Sequence, residues 1–168
     1  MLLIDSNFLI AMESVYPQDI FPSLWDKLAA AFRTEPLVIH ESVDKELTVW
    51  NSTVSRWNST VSRWYVGNTQ GIAVRETDEA ELEAYTRVAS WVEEEWKPRY
   101  RSQAVDVFLD VTDSWLVASA LAHGDTIITN EKHAPQSVAR VKIPDVATHF
   151  GVECLDTISF FRLLKWKI

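Results

Sequence analysis

Short, uninterrupted apolar runs, each stopped by polar turn formers, constrain this chain more than any other feature. Leu2-Leu3-Ile4 runs straight into Asp5-Ser6-Asn7, Leu37-Val38-Ile39-His40 and Thr126-Ile127-Ile128-Thr129 repeat the pattern, and residues 152–155 follow it around Glu153. Runs that are apolar at every position read as strands buried on both faces, the mark of a parallel sheet. Helical spacing fills the intervals. Phe21, Leu24, Trp25, Leu28 and Phe32 share one face behind Pro22, a residue suited to a first helical turn, and Thr34-Glu35-Pro36 ends it. Asp78 and Glu81 have capping-box spacing before a helix with Leu82, Tyr85, Ala89, Val92 and Trp96 on its inner face. Gly124 stops a small-residue helix, Gly151 stops one over residues 144–150, and Asp156 or Thr157 caps a last helix through Leu164. The expected fold is α/β, a three-layer α/β/α sandwich around a central, mainly parallel sheet, in one domain over residues 1–168.

One segment breaks that rhythm. Asn51-Ser52-Thr53-Val54-Ser55-Arg56-Trp57 is repeated without change as residues 58–64. Val43, Leu47, Trp50, Val54, Trp57, Val61 and Trp64 are spaced alternately by four and three, a heptad stripe. Seven residues are about two helical turns, so adding or removing a copy keeps the apolar face in register. The expectation is a helical arm over about residues 41–66, inserted in the domain and exposed. Copy number either sets the reach of that arm toward a partner or is neutral.

Composition bounds the function classes. No apolar run approaches the roughly 20 residues that cross a bilayer, and Asp5 interrupts anything resembling a signal peptide. A single cysteine, Cys154, cannot form an internal disulfide, which points to a reducing cytoplasm. The four histidines show no zinc-ligand spacing with it. The net charge of −8 argues against indiscriminate nucleic-acid binding, yet residues 132–168 carry six Lys or Arg against three Asp or Glu. A basic end on an acidic body suits RNA or an acidic partner peptide, or is a solvated surface. The same choice holds for Lys97, Arg99 and Arg101.

Four acids share one kind of address. Asp5 and Glu131 follow buried strands, Glu46 lies a turn into the helix after the second strand, and Asp113 stands at a helix start. Open α/β sheets bind ligands outside the carboxyl ends of their strands. Taken singly, each acid reads as a cap or a solvated side chain, and Asp113 after Thr112 reads as an N-cap. Taken as a set, hard oxygen ligands without His or Cys suit Mg²⁺ or Mn²⁺. Such ions position a phosphodiester and activate water.

The motifs resemble those of a known family. Leu3-Ile4-Asp5-Ser6-Asn7-Phe8-Leu9-Ile10 is similar to the "LLDTNVLI" opening of PIN-domain ribonucleases. Glu46-Leu47 resembles their second acid. Asp113-Ser114-Trp115-Leu116-Val117-Ala118-Ser119-Ala120, followed by Ile127-Ile128-Thr129-Asn130-Glu131, resembles their third and fourth. Phe108-Leu109, Ala120-Leu121-Ala122-His123-Gly124 and Val141-Lys142-Ile143-Pro144 are closer still to the DUF4411 branch. The resemblance covers nearly the whole chain outside the repeats. It implies Mg²⁺- or Mn²⁺-dependent RNA cleavage through one or two ions, as in VapC-like toxins held by a cognate antitoxin and commonly paired as homodimers. Asp5, Glu46, Asp113 and Glu131 would be the metal acids, with Glu41 and Asp44 as rivals to Glu46. Asn7 would orient an acid or the water. Ser6 stands for the usual Thr, and Glu131 for the usual Asp, one methylene longer. The alternatives are a structure-specific DNA nuclease or RNA-processing enzyme with the same site, or a PIN-like interaction module with silenced chemistry whose Trp-rich arm binds a partner.

Overall fold

The computed structural model describes residues 1–49, 56–68, 70–96 and 100–167, with the side chains of 56–59, 95 and 96 left aside. Five strands form one parallel sheet in the order β3-β2-β1-β4-β5. They are β1 (Leu2–Ile4), β2 (Leu37–His40), β3 (Val74–Arg75), β4 (Thr126–Ile128) and β5 (Cys154–Leu155). The expected α/β class with a central parallel sheet is the one observed, and its make-up is compatible with an α/β/α sandwich. Leu2 pairs with Leu37 and Leu3 with Val38, while Ile39 pairs with Val74. The order reverses at β1: the chain moves outward to β2 and β3, then returns to β4 on the other side.

The chain divides into two compact units. The first comprises residues 1–76, 128–130 and 155–168. It holds α1 (Ser6–Val15), α2 (Pro22–Thr34), α3 (Glu41–Val49), α4 (Arg56–Asn68) and α9 (Thr157–Leu163). Its core gathers Leu3, Ile4, Phe8, Leu9, Met12, Trp25 and Phe160, all essentially closed to solvent. Phe8 meets Phe160 edge-on with ring centroids 5.2 Å apart. The Trp25 indole N–H donates to the Tyr16 carbonyl at 2.7 Å, as a buried indole must find an acceptor.

The repeat behaves differently from expectation where it is described. Val61, Trp64 and Tyr65 are buried, so the second copy belongs to the core and is not an exposed arm. Trp64 packs edge-on against Trp25 at 4.9 Å and lies near Phe32. The Tyr65 hydroxyl donates to Asp44 at 2.5 Å, tying α4 to α3, and burial followed by Asp44 keeps that hydroxyl protonated. The helix also runs on to Asn68, past Gly67 and two residues beyond the expected end of the arm. Trp50 and Val54 lie outside the described residues, as does most of the first copy.

The second unit comprises residues 77–127 and 131–154. It holds α5 (Glu79–Trp91), the π-helical turn Val92–Trp96, α6 (Ser102–Asp110), α7 (Thr112–His123) and α8 (Ile143–His149). Asp78 caps α5 by accepting from the Glu81 amide at 2.9 Å, half of the expected capping box. Glu81 itself turns inward. Its carboxylate is fully buried, accepts from the Ser119 hydroxyl and lies 3.3 Å from His123 Nε2. That polar anchor rotates the inner face of α5 to Ala84, Val88 and Trp91, leaving Leu82 53% exposed. Gly124 closes α7 in the left-handed region, φ +66°, a conformation that disfavours any Cβ.

Candidate functional site

The strand Leu2–Ile4 delivers Asp5 to the carboxyl edge of the sheet. The Asp5 amide donates to the Ile128 carbonyl at 3.0 Å, continuing the β1–β4 ladder by one bond. Asp5 then leaves the strand as the N-cap of α1, its Oδ1 accepting from the Asn7 amide at 3.2 Å. Its other oxygen accepts from the Thr129 hydroxyl at 2.6 Å. Asp5 is 3% exposed. It therefore sits between the ends of β1 and β4, the point where strand order reverses and α/β sheets bind ligands.

Thr129 and Asn130 are the residues that sequence reasoning missed. Thr129 reads as an ordinary β-branched strand residue, and nothing in its spacing marks its hydroxyl. The Asn130 side chain donates to Thr157 Oγ1 at 2.6 Å and accepts from the Thr157 amide at 3.1 Å. It pins the exit of β4 to the start of α9. Asn7 acts on Asp5 through its backbone N–H, a role any non-proline residue fills.

Glu46 lies half-buried on α3, between the buried Val43 and Leu47. Glu41 pairs with Lys45 at 2.6 Å, and Asp44 accepts from Tyr65. Both Asp5 and Glu46 belong to the first unit.

Asp113 and Glu131 belong to the second unit. Asp113 is the second residue of α7, in its first turn, so it is not the N-cap; that position falls to Val111, whose side chain makes no capping hydrogen bond. Glu131 lies beyond β4 in irregular chain, not at the strand end. Its Oε1 takes the Lys142 ammonium at 2.7 Å and its Oε2 the Ile143 amide at 3.0 Å. Its side chain is 7% exposed. Among the described residues, no three His, Cys, Asp or Glu side chains form a group able to hold one ion.

A cavity of about 440 Å³ lies elsewhere in the first unit, lined by Glu13, Gln18, Asp19, Ile20, Thr60 and Arg63. Glu13 is eight residues along from Asp5, roughly two helical turns. The cavity and the buried aspartate are thus separate features.

No helix among the described residues is long and apolar enough to cross a membrane. The sequence model of a family described as "Domain of unknown function (DUF4411)" matches residues 2–168. No curated protein matches the sequence.

Proposed function

The chain belongs to the DUF4411 family, and we propose that it is a metal-dependent endoribonuclease of the PIN type, acting as the toxin of a type II toxin–antitoxin pair. The observation that carries this reading is the buried Asp5 carboxylate at the reversal point of the sheet, oriented by Thr129 and the Asn7 amide. Burying a carboxylate is costly unless its hydrogen bonds are made. A carboxylate held in place by hydrogen bonds remains a hard-oxygen ligand of fixed orientation. The ordered likeness of the other motifs to PIN ribonucleases supplies the reaction class.

Hard carboxylate oxygens suit Mg²⁺ or Mn²⁺, which when bound activates a water and neutralises charge on the phosphate oxygens. Asp5 fits such an ion. Glu131 fits less well, because the Lys142 ammonium already offsets its charge and an incoming cation would have to displace it. The likeness to PIN ribonucleases, rather than their placement, names Asp5, Glu46 and Asp113 for the ion; the Lys142 and Ile143 bonds give Glu131 to anchoring α8. The absence of a three-residue group among the described side chains favours a second reading, an interaction module of the same fold without ion chemistry.

Calorimetric titration with Mg²⁺ and Mn²⁺ separates the two. The nuclease reading predicts specific binding that Asp5→Asn and Asp113→Asn both abolish. Heat traces indistinguishable from buffer dilution would leave the interaction module.

A further inference from the structure

The segment after Glu131 carries cations only. Residues 132–142 include Lys132, His133, Arg140 and Lys142 and no acid, within a chain of net charge −8. Its two nearest acids point inward and fasten it. Glu131 holds Lys142 and the Ile143 amide, and Asp145 takes His133 Nδ1 at 2.9 Å and the Ala134 amide at 3.1 Å. The Asp145 side chain is 3% exposed, whereas that of His133 is 60% exposed. A carboxylate only accepts, so the proton between them sits on Nδ1, and the exposed ring is held in one orientation.

Although it lacks regular structure, the segment is pinned along its length. The Ser137 amide donates to the Ala134 carbonyl at 2.8 Å, and the Arg140 amide to the Ser137 hydroxyl at 3.3 Å. The Arg101 amide donates to the Val138 carbonyl at 2.9 Å. That last bond brings Arg101 beside the cations of residues 132–142, although it lies 31 residues before Lys132 in the chain. Arg101, Lys132 and Arg140 are all exposed. Negative charge is buried, positive charge faces water, and the backbone is fixed in advance. A pre-ordered surface of this kind loses little entropy when it binds a polyanion.

We propose that residues 132–142, with Arg101, form the surface that grips the phosphate backbone of the RNA substrate. This rests on the nuclease reading and names the element that would hold its substrate. Lys132, Arg140 and Arg101 contact phosphates as point charges or forks. Glu131 and Asp145 are positioning residues.

The test is binding of a fluorescent single-stranded RNA to the full chain in EDTA, where no cleavage occurs, across a salt series. On single strands each neutralised phosphate contact removes roughly 0.7 from the log–log salt slope. Lys132→Gln with Arg140→Gln is expected to lower that slope by about 1.4 and to weaken binding, while Lys132→Arg with Arg140→Lys restores it. Lys27→Gln with Arg87→Gln removes the same charge elsewhere and is expected to leave the slope unchanged. Equal losses in the two neutralised pairs, or none in the first, overturn the proposal. So does an oligoglutamate peptide that binds as tightly as the RNA, which would assign the surface to an acidic protein. A parallel Mn²⁺ cleavage reaction keeps the two readings apart. Cleavage by a protein whose RNA binding ignores these residues refutes the surface alone. A protein that neither binds nor cleaves RNA refutes both.

Discussion

The Thr129 hydroxyl donates to the Asp5 carboxylate across 2.6 Å, joining the ends of two strands that are 124 residues apart in sequence. That single bond couples stability to the candidate chemistry. Removing a donor to a buried carboxylate costs about 1.5–3 kcal/mol. Thr129→Val is therefore expected to lower stability by that amount in urea unfolding and to weaken divalent-ion binding by releasing Asp5. Unchanged stability would show that the carboxylate finds another donor.

The second repeat copy supplies a core residue. Trp64 packs against Trp25 and Phe32, and truncating a buried Trp to Ala costs about 3–5 kcal/mol. Urea unfolding of Trp64→Ala is expected to show a loss of that order. A loss under about 1 kcal/mol would mean that the stripe contributes no packing energy.

How much of this was legible depends on how each element is stabilised. β1, β2 and β4 are buried on both faces, so their apolar runs announce them. α5 was rotated because its inner face is centred on Glu81, a charged side chain that hydropathy assigns to solvent. The distant Ser119 and His123 help to make its burial tolerable, and no local pattern reports them. Asp5 stood out because an acid ending an apolar run is conspicuous, whereas Thr129 did not. The Glu131 carboxylate was legible as an acid near a strand end, but its Lys142 and Ile143 partners depend on the path of the segment between them. The second repeat looked like an exposed arm because Asn, Ser and Thr dilute its stripe, although Val61 and Trp64 pack inward.

Glu131 gives a prediction of its own. Glu131→Gln keeps an acceptor for the Ile143 amide and loses the ion pair to Lys142. Thermal unfolding is expected a few degrees lower, about 1 kcal/mol, with divalent-ion affinity unchanged. A tenfold loss of ion affinity at unchanged stability would return Glu131 to the ion's ligands.

Burial pushes the Glu13 carboxyl above its ordinary value of 4.5; the Gln18 amide opposes this and Asp19 adds to it. The folded state thus holds this proton more tightly than the unfolded chain. Its contribution is fully present below about pH 4.5 and is lost as pH rises through the raised value. Glu13→Gln keeps an acceptor for the Gln18 amide and removes the titration. Its melting temperature is expected to gain on that of the unaltered protein as pH rises from 4 to 7. Parallel curves would contradict the assignment.

The central claim is that Asp5 and Asp113 serve one metal-dependent cleavage of RNA. The most direct measurement is digestion of total and model RNA by the purified protein, free of any antitoxin, with Mg²⁺, with Mn²⁺ and with EDTA. Asp5→Asn and Asp113→Asn, each checked for folding by circular dichroism, run alongside, with single- and double-stranded DNA as competing substrates. The account predicts cleavage of RNA that requires the ion, spares DNA and disappears in both variants. Cleavage that survives either substitution, or a folded protein that neither binds the ions nor cuts RNA, would contradict it.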